Sequence, residues 1–294
     1  MKKRAEKISR VGLIANTAKT ACRQVVREAV RAIEASGRTV LMEAATQKFI
    51  GGKGESCLTV AALARQVDLV VVFGGDGTML SIARDMHGVQ TPVLGINVGS
   101  LGFLTAVSSK NVKEAFTMVW AGEFDLDPRW LVEAHGEIEG KEFVQCALND
   151  FVISRGAASR MIELEVRVDD EMLTRYRCDG LILSSSTGST AYSLSAGGAI
   201  VSPAAEVFTI TPICPHTLSN RSVILSLRSI ISVRVLNEKP ETLIAADGQV
   251  EMPLKAGDLI VFRRSRHRFN LVRLKGSSFF KTLRQKLSWS GSNV

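Results

Sequence analysis

Apolar and polar positions follow two different periods along this chain. In the first part, short apolar runs suited to buried strands alternate with stretches in which apolar residues recur every three or four positions. Val11 to Ile14 reads as a strand. Asn16 and Thr17 are expected to open a helix with Cys22, Val25, Val26, Ala29, Val30 and Ile33 on one face, and Gly37 is expected to end it. Thr39 to Met42 reads as a second strand, Gly51-Gly52-Lys53-Gly54 as a loop and Leu58 to Arg65 as a helix. Leu69 to Phe73 is an unbroken apolar run, as in a strand buried on both faces of a parallel sheet. A helix over Met79 to Met86, a strand over Pro92 to Asn97 and a helix over Val112 to Ala121 complete an alternation of strands and helices. That order predicts an N-terminal doubly wound α/β domain.

Near Asp125-Leu126-Asp127-Pro128 the period changes to two. Ile162, Leu164, Val166 and Val168 alternate with polar residues, and Asp169-Asp170 is set for a hairpin turn. The same alternation runs through Val223, Leu225 and Leu227, through Ile231, Val233 and Val235, and through Leu259 and Val261 after a Lys255-Ala256-Gly257-Asp258 turn. An antiparallel all-β C-terminal domain is expected. The expected division is 1–125 and 126–275, with a helical tail over Phe279 to Leu287, within 276–294, packing back on the first domain. No internal repeat or low-complexity segment interrupts this plan.

The apolar run Leu69 to Phe73 breaks into Gly74-Gly75-Asp76-Gly77-Thr78. Glycines let backbone approach a ligand closely. Successive N–H groups ahead of a helix N-terminus form a cradle for an anion. Asp76 does not suit a phosphate site by charge; it suits the handling of a hydroxyl proton or a metal ion. The combination describes phosphoryl transfer to an alcohol. A plain strand–turn–helix corner with Asp76 or Thr78 as N-cap is the alternative. Both this loop and Gly99-Ser100-Leu101-Gly102-Phe103 follow strands, so one crevice can hold both.

In the second part, Arg177 to Gly198 is the densest stretch. Its Ser184-Ser185-Ser186-Thr187-Gly188-Ser189-Thr190 run offers small hydroxyls as donors and acceptors, and Tyr192 offers a ring to lie against a flat ligand. Apolar flanks at Leu181 to Leu183 and Ala199 to Val201 argue against a Ser/Gly linker. Asn149-Asp150 interrupts an apolar run and suits ribose hydroxyls, or else a turn or bulge between strands. Asp247-Gly248-Gln249 is a turn by its own chemistry. Arg263-Arg264-Ser265-Arg266-His267-Arg268 is a basic run expected at a hairpin position. Read as a solvated edge that blocks strand pairing, it needs no nucleic acid, and no aromatic residues are interleaved with it.

Composition adds bounds rather than identity. The chain has 294 residues, 46% hydrophobic and 22% charged, which is globular and long enough for two domains. A net charge of +8 favours an anionic partner without choosing among nucleotides, nucleic acid and membrane surfaces. Five scattered cysteines without a C-x-x-C pair suit a reduced, cytoplasmic protein. No run is long and apolar enough to predict a membrane span, and Met1-Lys2-Lys3-Arg4 is not followed by an apolar signal region. The four histidines show no metal-ligand spacing, so no protein metal site is expected.

Taken together, Gly74 to Thr78, Asn149-Asp150, Asp179 to Gly198 and Thr211 to Arg221 make the sequence resemble the NAD kinases, the ATP- or polyphosphate-dependent family, from Val11 to Leu287. The Gly-Gly-Asp-Gly-Thr loop alone is shared in similar form with lipid kinases and phosphofructokinases. The resemblance implies transfer of a terminal phosphoryl group from ATP or polyphosphate, with Mg²⁺, to the 2′-hydroxyl of the adenosine ribose of NAD. It implies a homo-oligomer, expected as a homodimer or homotetramer; with no membrane-length apolar run and no aromatic residues in the basic run, no nucleic-acid or membrane partner is expected. It assigns Asp76 as general base, Gly77 beside it, and Gly74, Gly75, Gly77 and Thr78 as the phosphate loop. It carries NAD contacts onto Asn149, Asp150, Arg177, Asp179, Thr187, Thr190, Ala191, Tyr192, Ser193, Leu194, Ser195 and Gln249, with Arg160 as a more variable one. The chain departs from the family where Asp150 replaces the frequent Glu, which shortens the reach, and where Ser186 replaces a frequent Pro, which loosens the loop. A kinase for another acceptor, lipid or sugar, and a non-catalytic NAD(P)-binding sensor are the competing readings.

Overall fold

The computed structural model describes residues 8–52, 56–105, 107–138, 140–156, 160–217, 221–238 and 241–289. Met1 to Arg4, Lys53-Gly54 of the glycine-rich run and residues 218–220 of the Thr211 to Arg221 run lie outside the described residues. The chain forms two compact units, one from Met1–Pro128 with Phe269–Val294 and one from Arg129–Arg268.

The first unit holds β1 (Arg10–Ala15), β2 (Thr39–Glu43), β3 (Ser56–Cys57), β4 (Leu69–Gly74), β5 (Val93–Asn97) and β6 (Val107–Ser108). All are parallel, in the order β5-β4-β1-β2-β3, with β6 beside β5. Alternate residues of β1 face opposite helical layers. Val11 and Leu13 pack with Cys22, Val26, Ala29 and Ile33 of the helix Ala21–Glu34, whereas Gly12 lies against Leu63 and Val67 at the helix Val60–Gln66. This covering of both faces makes the unit doubly wound and explains why β4 is buried along its whole length. Strand order reverses between β1 and β4, and in such sheets the ligand crevice opens at the carboxyl ends of those two strands.

Two local expectations are corrected here. The helix after β1 opens at Ala21, not at Asn16 or Thr17. Asn16 is occupied elsewhere: its Oδ1 accepts from the Ala18 N–H at 3.1 Å and its Nδ2 donates to Thr78 Oγ1 at 3.2 Å. The helix after β4 spans Asp76–Asp85, three residues earlier than Met79. Gly75 is extended, and its carbonyl accepts from Thr78 N at 3.0 Å and Met79 N at 3.2 Å, which winds Asp76, Gly77 and Thr78 into the first turn. The C-terminal helix Phe279–Lys286 belongs to this unit, with Phe279 5.9 Å from Phe103, ring centre to ring centre.

The second unit is antiparallel β. Its strands are the later part of β7 (Phe124–Ile138), β8 (Lys141–Ala147), β9 (Asp150–Arg155), β10 (Ile162–Val168), β11 (Glu171–Cys178), β12 (Gly180–Ser185), β13 (Val207–Ile213), β14 (Val223–Ser226), β15 (Ile231–Val235), β16 (Thr242–Ala246), β17 (Val250–Leu254) and the first part of β18 (Leu259–Leu274). One sheet runs β14-β13-β12-β9-β16-β17; the other contains β11-β10-β15-β18 and the β7–β8 hairpin. Inward residues of both sheets form one core, within which Phe151 and Phe262 meet at 5.4 Å. The turns at Asp169-Asp170 and Asp247-Gly248 have positive φ at both central residues, as tight hairpins require. In β18 the expected phase is reversed: Ile260 and Phe262 are buried, and Leu259 and Val261 are not. The basic run is not at a hairpin turn either; it lies inside β18.

Candidate active site

In the first unit the expected phosphate loop is the corner between β4 and its helix. Gly74 ends the strand, Gly75 precedes the helix, and Gly77 and Thr78 lie in its first turn. Close packing explains Gly74, since a β-carbon there would stand 2.4 Å from Thr78 Oγ1. The first-turn N–H groups and the helix dipole supply positive potential at this corner.

The Asp76 side chain turns to the segment after β5. Its Oδ2 accepts from Phe103 N at 2.7 Å. Its Oδ1 accepts from Leu104 N at 3.1 Å, Thr105 N at 3.2 Å and Thr105 Oγ1 at 3.1 Å. Gly102 makes this contact possible, because a β-carbon there would lie 1.9 Å from Asp76 Oδ1. Three donors saturate Oδ1, whereas Oδ2 holds one and keeps a lone pair for a hydroxyl. The carboxylate is an oriented acceptor, and the expected meeting of Gly74 to Thr78 with Gly99 to Phe103 is realised.

In the second unit Asn149 and Asp150 stand where β9 begins, with Asp150 only 4% exposed. Asp247 holds their backbone: its carboxylate accepts from Leu148 N at 2.9 Å, Asn149 N at 2.8 Å and Asp150 N at 3.2 Å. Asp150 therefore faces burial and a second carboxylate. Burial first, and Asp247 second, push its carboxyl up to about 7.

The Ser/Thr-rich segment is ordered, not a linker. Ser184 and Ser185 close β12, Gly188–Thr190 make one tight turn and Tyr192–Ser195 a short helix. The Asn149 carbonyl accepts from Ser185 N at 2.8 Å, and a β-carbon on Gly188 would stand 2.3 Å from that oxygen. Asn149 and the Thr187 segment are thus packed together by hydrogen bonds and by the missing side chain. Ser185 Oγ donates to Leu148 O at 2.6 Å and accepts from Gly188 N at 3.2 Å. Ser193 Oγ meets Thr211 Oγ1 at 3.0 Å, and Thr211 meets Ser222 Oγ at 2.7 Å. Thr187 is buried and accepts from Arg129 Nη1 at 3.3 Å, and Thr190 Oγ1 donates to Thr187 O at 3.4 Å. Tyr192 is 47% exposed, Ser195 is exposed, and Ala191 and Leu194 are half-buried.

The outlying residues differ. Asp179 accepts from Arg155 Nε at 2.9 Å. Arg177 is solvent-facing, 4.0 Å from Glu163. Gln249 is exposed just after the Asp247-Gly248 turn, and Arg160 lies in an exposed bend. The basic run is partly engaged: Arg263 pairs with Glu133 at 3.0 Å, and Arg264 and Arg268 lie over the Trp130 ring at 4.4 and 3.8 Å. From the sequence Asp247 reads only as a turn residue, and Asn97, Thr105 and Lys19 carry no signal. A carboxylate at a left-handed turn position was the signal for Asp247; the others needed the strand order.

Among the described residues no helix is long and apolar enough to cross a membrane. The ATP-NAD kinase N-terminal domain matches residues 11–124 and the ATP-NAD kinase C-terminal domain matches residues 148–274. The NAD kinase of Geobacter sulfurreducens is 40% identical over 284 residues, covering 96% of this chain and 99% of its own. That of Symbiobacterium thermophilum is 40% identical over 262 residues, covering 89% and 92%. Yeast NADH kinase, solved in complex with NADH, superposes with a TM-score of 0.88 at 28% identity over 97% of this chain and 89% of its own. An NAD kinase from Archaeoglobus fulgidus, solved in complex with ATP, gives 0.73 at 26% identity over 96% and 100%. Matched in both halves by the two domains of one family, and along nearly its whole length by curated relatives, the chain belongs to the NAD kinase family and is a phosphotransferase.

Proposed function

We propose that the chain transfers the terminal phosphoryl group of ATP, or of polyphosphate, to the 2′-hydroxyl of the adenosine ribose of NAD, giving NADP. The observation that carries this reading is the Asp76 carboxylate, oriented by four donors with one lone pair of Oδ2 kept for a hydroxyl, in the first turn of a helix whose N-terminal dipole suits phosphate. The NADH and ATP complexes of the two structural relatives support the choice of substrates.

Asp76 aligns the 2′-hydroxyl and takes its proton as the new O–P bond forms; the alignment supplies much of the effect. The Gly75 to Thr78 corner holds the donor phosphates. Asn149, Asp150 and the Thr187 to Ser195 segment of the second unit bind the dinucleotide, with Arg177, Asp179, Gln249 and Arg160 as further contacts there; Gly77, beside Asp76 in the first unit, is a substrate contact of its own. Asp150, whose carboxyl is pushed up to about 7, both donates to and accepts from ribose hydroxyls near neutral pH. A divalent ion fits a site of this kind when it arrives on the donor's phosphates, since Mg²⁺ commonly takes one or two carboxylates and keeps phosphate oxygens and waters. It would be held mainly by the donor's phosphates and water and would supply charge neutralisation there, the open lone pair of Asp76 being kept for the hydroxyl. The active form in this reading is a homodimer or homotetramer, which sedimentation tests.

The function is tested by an endpoint assay with NAD and MgATP, read through an NADP-specific dehydrogenase. NADP formation is expected. Folded protein that binds NAD yet makes no NADP with ATP or polyphosphate contradicts the reading.

A further inference from the structure

We propose that Lys19 is a ligand of the donor's phosphate chain, its ammonium lying across the open sides of Gly75 and Gly99. This rests on the reading of Gly74 to Thr78 as the donor's phosphate loop.

Lys19 stands after β1, at the reversal of strand order, and the turn that carries it is fastened to the phosphate loop. Asn16 N donates to Phe73 O at 2.9 Å, and Asn16 Nδ2 donates to Thr78 Oγ1 at 3.2 Å. Asn16 O accepts from Lys19 N at 3.1 Å, which closes the turn. The side chain then reaches the end of β5, where Nζ donates to Val98 O at 3.2 Å. An ammonium carries three hydrogens, so two remain for phosphate oxygens.

The glycines around it are not alike. A β-carbon on Gly74, Gly95 or Gly102 would collide with Thr78, with the Leu104 carbonyl or with Asp76, so internal packing accounts for those three. Gly75 has no such collision and an ordinary extended backbone with φ −126°. Beyond its own chain neighbours, the described atom within 4 Å of its β-carbon position is Lys19 Nζ, at 3.7 Å. At Gly99 that position lies 3.5 Å from Lys19 Nζ and 4.0 Å from Asn97 Oδ1. The space beside Gly75 is therefore open toward a cation, which is what a phosphate oxygen approaching the backbone needs.

Asn97 gives an independent sign that the same corner is built for a ligand. It is 4% exposed, and its Oδ1 is buried without a hydrogen-bond partner. Its orientation is set by its other end: Nδ2 donates to Ser100 O at 2.6 Å and to Thr105 Oγ1 at 2.8 Å, and Thr105 passes its own hydrogen to Asp76. A buried acceptor left open is costly and calls for a hydrogen-bearing group or a water that arrives with the ligand. The chain Asn97–Thr105–Asp76 joins this corner to the group that handles the acceptor hydroxyl.

The test is initial-rate kinetics of the full chain with Lys19→Ala, Lys19→Gln and Lys19→Arg, with inorganic tripolyphosphate as inhibitor against MgATP. The side chain is on the surface, so folding is checked simply by thermal melting. Lys19→Ala and Lys19→Gln are expected to raise the KM for MgATP by about tenfold or more, the NAD KM staying within about twofold. Tripolyphosphate inhibition weakens by a similar factor, and Lys19→Arg recovers most of both. An unchanged MgATP KM overturns the assignment. So does a raised MgATP KM with tripolyphosphate inhibition intact, since Lys19 then acts away from the phosphates. Gly75→Val, which fills the open side, separates the two levels. If it raises the MgATP KM while Lys19→Ala does not, the loop reading stands and Lys19 is excluded; if neither moves it, both readings fall.

Discussion

Asp76 and Asp150 are the same residue type at opposite kinds of place, one just after the end of a strand in the first unit and the other at the start of a strand in the second. Their surroundings treat them oppositely. Asp76 receives three backbone N–H groups and a hydroxyl from one loop. At Asp150 the nearby amides of residues 148–150 are given to Asp247 instead, leaving Asp150 buried beside a second carboxylate. One aspartate is built as an oriented acceptor; the other is divided between acid and anion near pH 7. Which donors the backbone supplies, rather than residue type, decides the chemistry each can perform.

Removing the Asp76 carboxylate breaks the comparison most directly. Asp76→Ala should lower kcat for NADP formation by about 10²–10⁴-fold, the usual worth of a placed acid–base group. Next in size is Gly102→Ala, whose new β-carbon occupies the space of Asp76 Oδ1. It should cost about 10²-fold in kcat through misalignment, with about 1–3 kcal/mol of stability read from urea midpoints. Gly188→Ala is its counterpart in the second unit: the added carbon meets the Asn149 carbonyl, and the expected effect is a raised NAD KM with a stability loss of about the same 1–3 kcal/mol. A Gly188→Ala enzyme with unchanged NAD KM would detach that segment from the dinucleotide.

Asp247→Asn sharpens the comparison further. Asparagine tolerates the positive φ of this turn and removes the like charge, keeping one acceptor for the Asn149 and Asp150 amides while Leu148 N loses its own. The pH dependence of the NAD KM, centred near 7 in the parent through Asp150, should move to lower pH. A further effect is on the pH profile of stability. The folded chain holds the Asp150 proton up to about 7, against the ordinary 3.8. This contribution to stability is complete below the ordinary value and is lost as pH rises through about 7. Asp150→Asn should flatten that fall, measured as the change in urea midpoint between acid and neutral buffers.

The two-domain plan was legible because each half keeps one period over many elements. Leu69 to Phe73 announced a strand buried on both faces, and β4 is that strand. Ile162 to Val168 announced a half-buried strand, and β10 is buried at alternate positions. The misses have local causes. Asn16 looked like a helix cap, but its side chain reaches Thr78, 62 positions away, and no window around Asn16 contains that partner. In β18 every position from Leu259 to Phe262 is apolar, so alternation could not set the phase; pairing with β15 puts Phe262 opposite the buried Ile231. At the site, Asp76 stood out because a carboxylate among glycines opposes phosphate. Its partners at Phe103, Leu104 and Thr105 were invisible, since they meet it only through parallel pairing of β4 with β5. Asp247 was hidden in the same way, 97 positions from the Asp150 amide it holds.

The central claim is that Asp76 acts on the acceptor hydroxyl rather than only fastening the Gly99 to Thr105 loop. The most direct measurement is Asp76→Asn in a single-turnover assay of NADP formation from NAD and MgATP, with NAD affinity measured on the same sample. Asparagine keeps the shape and one acceptor but not the basic carboxylate. The expected result is NAD binding within about threefold of the parent and turnover lower by about 10³-fold, within the range for loss of a placed base. Substantial turnover with intact NAD binding would contradict the claim and leave Asp76 a structural anchor.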